Sequence, residues 1–429
     1  MKVVERKGLL QGQVFGLALA YSENLFRMIY GVAVLLFARK LLTVDDFSNF
    51  AFYLSLAVLL YGFSKFSLDA YSIRTLVRHP EVSSSLVLKL ILFRAVGSIA
   101  FLLLFLLGLF ITGKFSLGFF FLLVFQLVRP LDSIEWLLRS TERIAYQSLC
   151  RIASMAVVIS ILVAVYLFGF DLEPINLAFV VGFEWVVLAI LYMYWYFFLY
   201  PKRRTWVGDG TKYLKSIVKG TFPSYVAFIL FLAYSKFDQL VLKGCIDSVE
   251  YGNYMIAARL NESAVIIVVS LNMVLYPRLV QQHLSSMSKF SADVRRGSAL
   301  FLFLGICVVG AVLGGRTLYP VLPEVFQRWL PFQVLKYLSL MIFSVLPVFF
   351  FGLRSSYFTI IDKPMHILWG GFLGLASMII LGVPLMRSMG GDGGALALIV
   401  STIVALFISN FINRDGRLYL KIVFPFFKQ

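Results

Sequence analysis

Two ionisable side chains and an amide lie close together in an apolar stretch near the N-terminus: Glu23, Asn24 and Arg27. Glu23 precedes Arg27 by one helical turn, so the two can form an ion pair on one helix face. The planar guanidinium fork of arginine also binds phosphate and carboxylate groups bidentately. We interpret Arg27 as a candidate anion-binding residue, and a purely structural ion pair is the alternative.

Charged residues recur in other apolar stretches. In "AARLNES", Arg259 stands one turn before Glu262, so the two can partly neutralise each other. A charged side chain at the centre of a membrane helix costs about 2.5–3.5 kcal/mol on insertion scales, so such residues normally face a protein interior or a watery cavity. The predicted substrate-binding residues are Asn24, Arg27, Arg94, Arg129, Arg259 and Arg354, and the predicted coupling or ion-pair residues are Glu23, Glu184, Asp238 and Glu262.

The composition indicates that membrane helices position these residues. Of the 429 residues, 60% are hydrophobic and 14% are charged, with a mean hydropathy of +0.88, whereas soluble domains are about 45–50% apolar and about 25% charged. The net charge of +17 fits the basic cytoplasmic loops of a membrane protein better than nucleic-acid binding. Three cysteines without a paired spacing predict neither a metal site nor a disulfide framework.

The apolar runs predict an all-α integral membrane protein with twelve transmembrane helices, since about 20 residues cross a bilayer. The predicted helices lie roughly at 9–36, 47–68, 85–112, 116–138, 145–169, 174–200, 218–242, 251–276, 297–320, 333–356, 366–386 and 393–413. The distribution of Lys and Arg predicts that both termini are cytoplasmic. The basic segment "PKRRTWVGDGTKYLK" predicts an N-terminal lobe at 1–200, a cytoplasmic linker at 201–217 and a C-terminal lobe at 218–429.

The two halves repeat a short signal. "DFSNF" begins at Asp46 and "EYGNY" at Glu250, 204 residues later (250 − 46), each before the second helix of its half. A second pair sets Glu142–Arg143 against Asp362–Lys363. Because six helices per half is an even number, both halves would insert in the same orientation, and such parallel repeats typically alternate access around a site between them. The aromatic residues of the signal predict a belt at the membrane interface.

Enzyme motifs are weak in this chain. Gly108–Lys114 has the GxxxxGK spacing of a phosphate loop, but Phe115 follows where Ser or Thr is needed. No zinc spacing and no catalytic-triad signature occurs in the sequence. We predict a transporter rather than an enzyme. The alternative outside transport is a membrane glycosyl polymerase or ligase, which would favour a long extracytoplasmic loop.

Within the fourth predicted helix, Pro130 predicts a kink.

Three stretches carry a family resemblance: "FARKLLTVDDFSNFAFYLSLAVLL", "FDQLVLKGCIDSVEYGNYMIAARLNESAVIIVVSLNMVLYPRL" and "GGDGGALALIVS". They resemble the polysaccharide flippases (Wzx-type) of the multidrug/oligosaccharidyl-lipid/polysaccharide exporter superfamily. In the second stretch the matching residues are Asp238, Tyr251, Gly252, Tyr254, Ala257, Arg259, Glu262, Pro277 and Arg278.

The resemblance implies two six-helix lobes around a central cavity. It implies a polyprenyl-diphosphate-linked oligosaccharide as substrate, moved across a bacterial inner membrane for O-antigen, capsule or exopolysaccharide assembly, with arginines binding the diphosphate or acidic sugars. No cofactor is expected. Coupling of transport to H⁺, Na⁺ or the membrane potential is compatible with the resemblance. A polysaccharide polymerase is a compatible protein partner. The alternative is a cation-coupled multidrug antiporter of the same fold.

Overall fold

The computed structural model describes residues 2–170, 172–200, 210–363 and 365–424, and this part of the chain is helical with no strand. It forms two compact units, Met1–Tyr225 and Val226–Gln429. The helices before the basic segment are α1 (Lys2–Leu41), α2 (Val44–Lys65), α3 (Asp69–Arg78), α4 (Ser83–Ile111), α5 (Leu117–Val124), α6 (Ile134–Ser140), α7 (Ile144–Phe168) and α8 (Pro174–Tyr194). The remaining helices are α9 (Gly210–Leu242), α10 (Ser248–Ser285), α11 (Met287–Leu318), α12 (Glu324–Trp329), α13 (Phe332–Met341), α14 (Val345–Phe350), α15 (Arg354–Ile360), α16 (Met365–Ser377), α17 (Val383–Leu406) and α18 (Arg414–Val423).

Ten stretches of the described chain are long and apolar enough to cross a membrane, which indicates a multi-pass membrane protein. α1 is not among them. The last stretch, Met365–Phe411, has 47 residues and as a helix would extend about 70 Å, more than twice the roughly 30 Å of a bilayer core. Within it, Gly390 has a non-helical backbone with φ 56°. Twelve crossings and cytoplasmic termini stay predictions.

α9 begins earlier than the hydropathy of the sequence indicated. It starts at Gly210 rather than 218, so 210–217 is helical, while 201–209 of the predicted linker lies outside the described residues. The boundary between the units, after Tyr225, falls inside this helix. The lysines of the first turns lower the hydropathy but do not end the helix, and Lys89 donates to the Thr211 hydroxyl in its first turn at 2.5 Å.

The repeated signal begins each helix with the same cap. Thr43 precedes α2 and its hydroxyl accepts from the Asp46 amide at 3.2 Å. Asp247 precedes α10 and its carboxylate accepts from the Glu250 amide at 2.8 Å. Both pairs have the spacing of a capping box, in which an acid three residues after the cap is favoured. The acid therefore recurs 204 residues apart (250 − 46) because each copy starts a helix.

The prediction of an aromatic belt is wrong for these residues. Phe47, Phe50, Tyr251 and Tyr254 are all buried within the protein. Tyr251 donates its hydroxyl to the Gln239 carbonyl at 2.9 Å. The sequence predicted a belt because aromatic residues occur where helices start at the predicted interface. In the structure, neighbouring helices cover these rings.

The second pair of the repeat ends two equivalent helices. Glu142 and Asp362 have left-handed backbones, with φ of 60° and 57°. The amides of Arg143 and Lys363 each donate to a carbonyl five residues earlier, at 2.8 Å. This bond is the signature of the Schellman motif, which closes a helix end with a residue of positive φ. Around Pro130, where a kink is predicted, the chain forms two 3₁₀ turns, Phe125–Leu127 and Arg129–Ser133, in place of continuous α-helix.

Candidate functional site

A buried carboxylate on α1 organises the first charged cluster. Glu23 forms an ion pair with Arg27 and accepts from the Ser148 hydroxyl at 2.9 Å. Arg151 of α7 lies 3.6 Å from the same carboxylate. The Glu23 side chain is only 5% exposed while that of Arg27 is 42% exposed. The acid is thus a fixed internal group, and the arginine presents an accessible cation.

The cluster extends through Arg151 to an acid that the sequence analysis did not single out. Arg151 pairs with Glu135 of α6, which also pairs with Arg139. Gln147 donates to Glu135 at 2.9 Å and accepts from Arg139 at 3.1 Å. Two acids and three arginines, counting Glu23 and Arg27, make this cluster net positive. The one-turn spacing of Glu135 and Arg139 was the available signal, and it also fits an ordinary interfacial pair.

Arg94 is entirely buried in the first unit. Its guanidinium pairs with Asp132, donates to the Ser133 hydroxyl at 2.9 Å and faces the Trp136 ring at 5.2 Å. Tyr61 donates to the other oxygen of Asp132 at 3.0 Å. The charge of Arg94 is therefore paired without a ligand, although its second terminal nitrogen, Nη2, is buried without a hydrogen-bond partner among the described residues.

Arg129 is stacked between two aromatic rings. Its guanidinium carbon lies 3.7 Å from the centre of the Tyr61 ring and 3.3 Å from that of Trp185. A small cavity of about 10 Å³, enough for one water, is bounded by Arg129, Asp132 and Trp185. The rings cover both faces of the guanidinium and leave its edge for hydrogen bonds. Glu184, the residue before Trp185 on α8, is buried. Asn24 on α1 is partly buried.

The second unit has a charged cluster between α9 and α10. Lys236 lies 2.5 Å from a carboxylate oxygen of Glu262, to which Gln239 donates at 2.8 Å. Arg259 lies 3.4 Å from the other oxygen. The side chains of Arg259 and Glu262 are each 31% exposed. Lys236 was not among the predicted site residues, because its position near the end of the helix suggested an interfacial lysine.

The two remaining predicted residues, Asp238 and Arg354, are both buried and have other partners. Asp238 is buried and accepts a hydrogen bond from the Tyr254 hydroxyl. Arg354 is 4% exposed. It donates to Asn410 at 2.9 Å and to Ser409 at 3.0 Å. Among the described residues, its hydrogen-bond partners are all neutral.

The structure thus separates the predicted residues by accessibility. It joins Glu23 to Arg27 and Arg259 to Glu262, as their spacing allowed. Arg27 and Arg259 have guanidinium groups that a ligand could reach, one in each unit. Arg94 and Arg354 are enclosed by protein groups.

The class of protein follows from comparison of this fold with solved structures. An inward-facing multidrug resistance MATE family transporter of the MOP superfamily superposes with a TM-score of 0.72 at 14% identity, covering 96% of this chain and 98% of that one. The outward-facing conformation of such a transporter gives 0.65 at 14% identity, with 96% of both chains covered. A MOP superfamily transporter from Pyrococcus furiosus gives 0.62 at 15% identity, also covering 96% of both. The chain has the fold of these proteins.

The sequence then gives the family. The sequence model of the polysaccharide biosynthesis protein family matches residues 16–283, more than half of the chain. The protein belongs to this family. A comparison with curated protein sequences finds no match.

Proposed function

We propose that the protein is a flippase that moves a polyprenyl-diphosphate-linked oligosaccharide across a bacterial inner membrane by alternating access. The observation that carries this proposal is the combination of a polysaccharide biosynthesis family with the fold of membrane transporters. Sugar polymers assembled outside a cell need precursors that cross the bilayer, and a charged diphosphate carrier cannot cross an apolar core unaided. A multi-pass protein with arginines among its helices has the chemistry for this task.

Arg27 and Arg259 are the residues that we propose for binding the diphosphate or acidic sugars. Their guanidinium groups are accessible, and each is held by one carboxylate of its own helix. A phosphate group can accept two parallel hydrogen bonds from such a fork. We propose a structural role for the enclosed Arg94 and Arg354, and a stacking role for Arg129 with its free edge as a further contact.

The acids beside these arginines are our candidates for coupling. A diphosphate that binds Arg27 or Arg259 competes with Glu23 or Glu262 for the same guanidinium, and an acid that loses its cation takes up a proton or Na⁺ more readily. Glu184 and Asp238 are the buried acids that could share this role. A polysaccharide polymerase is the protein partner compatible with such a transporter.

Export of surface polysaccharide tests the proposal. Deleting the gene should cause lipid-linked repeat units to accumulate in the cytoplasmic leaflet, with loss of surface polysaccharide. Arg27→Ala or Arg259→Ala should abolish export in a complemented strain, and the lysine variants should retain part of it. Arg328→Ala is the control, because Arg328 is an exposed arginine with a one-turn partner, Glu324, at 3.4 Å. Full export by both alanine variants would remove these residues from the proposal.

A cation-coupled multidrug antiporter is the second candidate, because several structural neighbours are described as multidrug resistance transporters. An exporter of cationic drugs would need accessible acids without arginine partners. The deletion strain separates the two functions. Unchanged polysaccharide together with new sensitivity to cationic drugs would favour the antiporter and overturn the flippase.

A further inference from the structure

The first unit holds a cavity of about 340 Å³ at one end of its helices. Its wall forms where α3 ends, where α4 begins, where α6 is followed by α7, and where the chain leaves α8. At about 30 Å³ per water molecule, this space exceeds what isolated buried waters need. It is large enough for part of a small organic molecule.

Part of the cavity lining is apolar. Leu76 and Val77 of α3 face it together with Trp195 and Leu199. These last two residues belong to a π-helical turn, Trp195–Leu199, at the end of α8. Single π turns are rare and often occur at functional sites. This wall fits hydrocarbon rather than a small polar ion.

Another part of the cavity lining is polar and cationic. Ser140, Thr141 and Arg143 line it, and none of the ten lining residues is acidic. Within the described part of the chain, the Arg143 side chain has no ion-pair or hydrogen-bond partner. Its backbone is fixed by the Schellman motif and begins α7, whose first amides receive no side-chain cap. A guanidinium and the positive end of a 25-residue helix both favour an anion there.

The sequence pattern predicts that the cavity lies near lipid headgroups. Arg74 and Arg78 of α3, Arg139 of α6 and Arg143 lie in the elements around it, and this basic pattern predicts the cytoplasmic side. The aromatic residues Trp195 and Tyr200 border the cavity, and both are buried within the protein. A ligand here would have its polar end among cations and its apolar end toward the membrane.

We propose that this cavity binds an anionic phospholipid of the adjacent leaflet. Its phosphate lies on Arg143, and the start of an acyl chain packs against Leu76, Val77 and Leu199. Inorganic phosphate would leave the apolar wall uncovered. A zwitterionic headgroup would bring a second cation next to Arg143.

Native mass spectrometry of the full-length protein tests this assignment. Purified protein is mixed with equal amounts of phosphatidylglycerol and phosphatidylcholine, and the retained lipids are counted. Arg143→Gln should lower retained phosphatidylglycerol about fivefold, the effect of one basic residue at an anionic lipid surface, and leave phosphatidylcholine unchanged. The matched control is Lys363→Gln, since Lys363 occupies the same Schellman position in the second unit; it should retain lipid as the parent does.

A filling variant separates a cavity from general surface attraction. Thr141→Trp occupies the space but keeps Arg143, so it should also lose phosphatidylglycerol. Val77→Asn, at an exposed position, weakens the apolar wall and serves if the tryptophan variant does not fold. If both of these variants retain phosphatidylglycerol, the lipid is held by surface attraction alone, and the proposal that it binds in the cavity is overturned. An equal loss in Lys363→Gln would overturn the role of Arg143. Displacement of the lipid by inorganic phosphate alone would assign the site to free phosphate instead.

Discussion

Each of the two units buries one arginine almost completely, and each surrounds it differently. Arg94 is 0% exposed and pairs with Asp132, an acid brought to it by a 3₁₀ turn. Arg354 is 4% exposed and donates to Asn410 and Ser409. The charge in the first unit is cancelled by a countercharge, whereas the charge in the second is solvated by neutral dipoles. Two guanidinium groups of similar burial therefore differ in what their removal leaves behind.

Removal of Arg94 should have the largest effect on stability. Arg94→Gln leaves the Asp132 carboxylate, 12% exposed, without its cation, and breaking a buried pair costs about 3–5 kcal/mol. The midpoint of thermal unfolding of the purified protein measures the loss. Adding Asp132→Asn removes the unpaired charge and should restore most of the stability. A double variant no more stable than Arg94→Gln would show that the pair is not the source of the effect.

Removal of Arg354 should cost less. Arg354→Gln leaves neutral acceptors unsatisfied but no buried charge, and hydrogen bonds to a charged group contribute about 1.5–3 kcal/mol. The same unfolding measurement ranks it against Arg94→Gln. If the Arg354 variant is the less stable of the two, neutral dipoles stabilise a buried guanidinium as well as an acid does, and the comparison fails.

The two repeated acids, Asp46 and Glu250, also differ between the units in how many partners they have, and the expected effect on stability is smaller. Glu250 accepts from the Gly391 amide at 3.0 Å and from the Tyr337 hydroxyl at 2.8 Å, at the break near Gly390. Within the described part of the chain, the Asp46 side chain accepts only from the Thr43 hydroxyl, three residues earlier, at 2.7 Å. Glu250→Ala should destabilise by about 1–2 kcal/mol because it leaves both donors without a partner.

The matched change, Asp46→Ala, should cost no more than about 1 kcal/mol, because the Asp46 amide still caps onto Thr43 and only one exposed side-chain hydrogen bond is lost. The difference between the two unfolding midpoints checks this. Equal shifts would mean that the tertiary contacts of Glu250 add nothing to its local capping role.

The accessible arginine should give the smallest change in stability. Arg27 is 42% exposed, and Glu23 keeps Arg151 and Ser148 when Arg27 is removed. Exposed ion pairs contribute less than about 1 kcal/mol, so Arg27→Gln should unfold near the parent midpoint. Loss of export at unchanged stability would distinguish a binding residue from the structural Arg94, whose variants should lose both.

Much of the fold followed from local patterns in the sequence. Apolar runs indicated membrane helices, and the repeated acids marked two equivalent helix starts. Around Pro130, where a kink was predicted, the chain forms 3₁₀ turns. The start of α9 was missed because a charged helical turn lowers hydropathy without ending the helix. The buried rings of Phe50 and Tyr254 were taken for an interface belt because the sequence does not show which helices cover them.

The candidate site followed from the sequence only where its partners are neighbours on one helix. Glu23 with Arg27 and Arg259 with Glu262 were found from their spacing. Glu135, Arg151 and Lys236 were not predicted as site residues, because nothing along the chain shows that they meet acids or cations of other helices.

By itself the sequence determined that this protein is a helical membrane protein of the polysaccharide biosynthesis family, with repeated helix starts and ends. Those features depend on residues within a few turns of one another, through apolar length, capping and backbone conformation. Only the tertiary structure decided which arginines are enclosed, which are accessible, and that, among the described residues, Arg94 has a countercharge while Arg354 has none. Those outcomes depend on groups distant in sequence that approach within hydrogen-bonding distance, and a charge in an apolar medium is stabilised or destabilised by such neighbours alone.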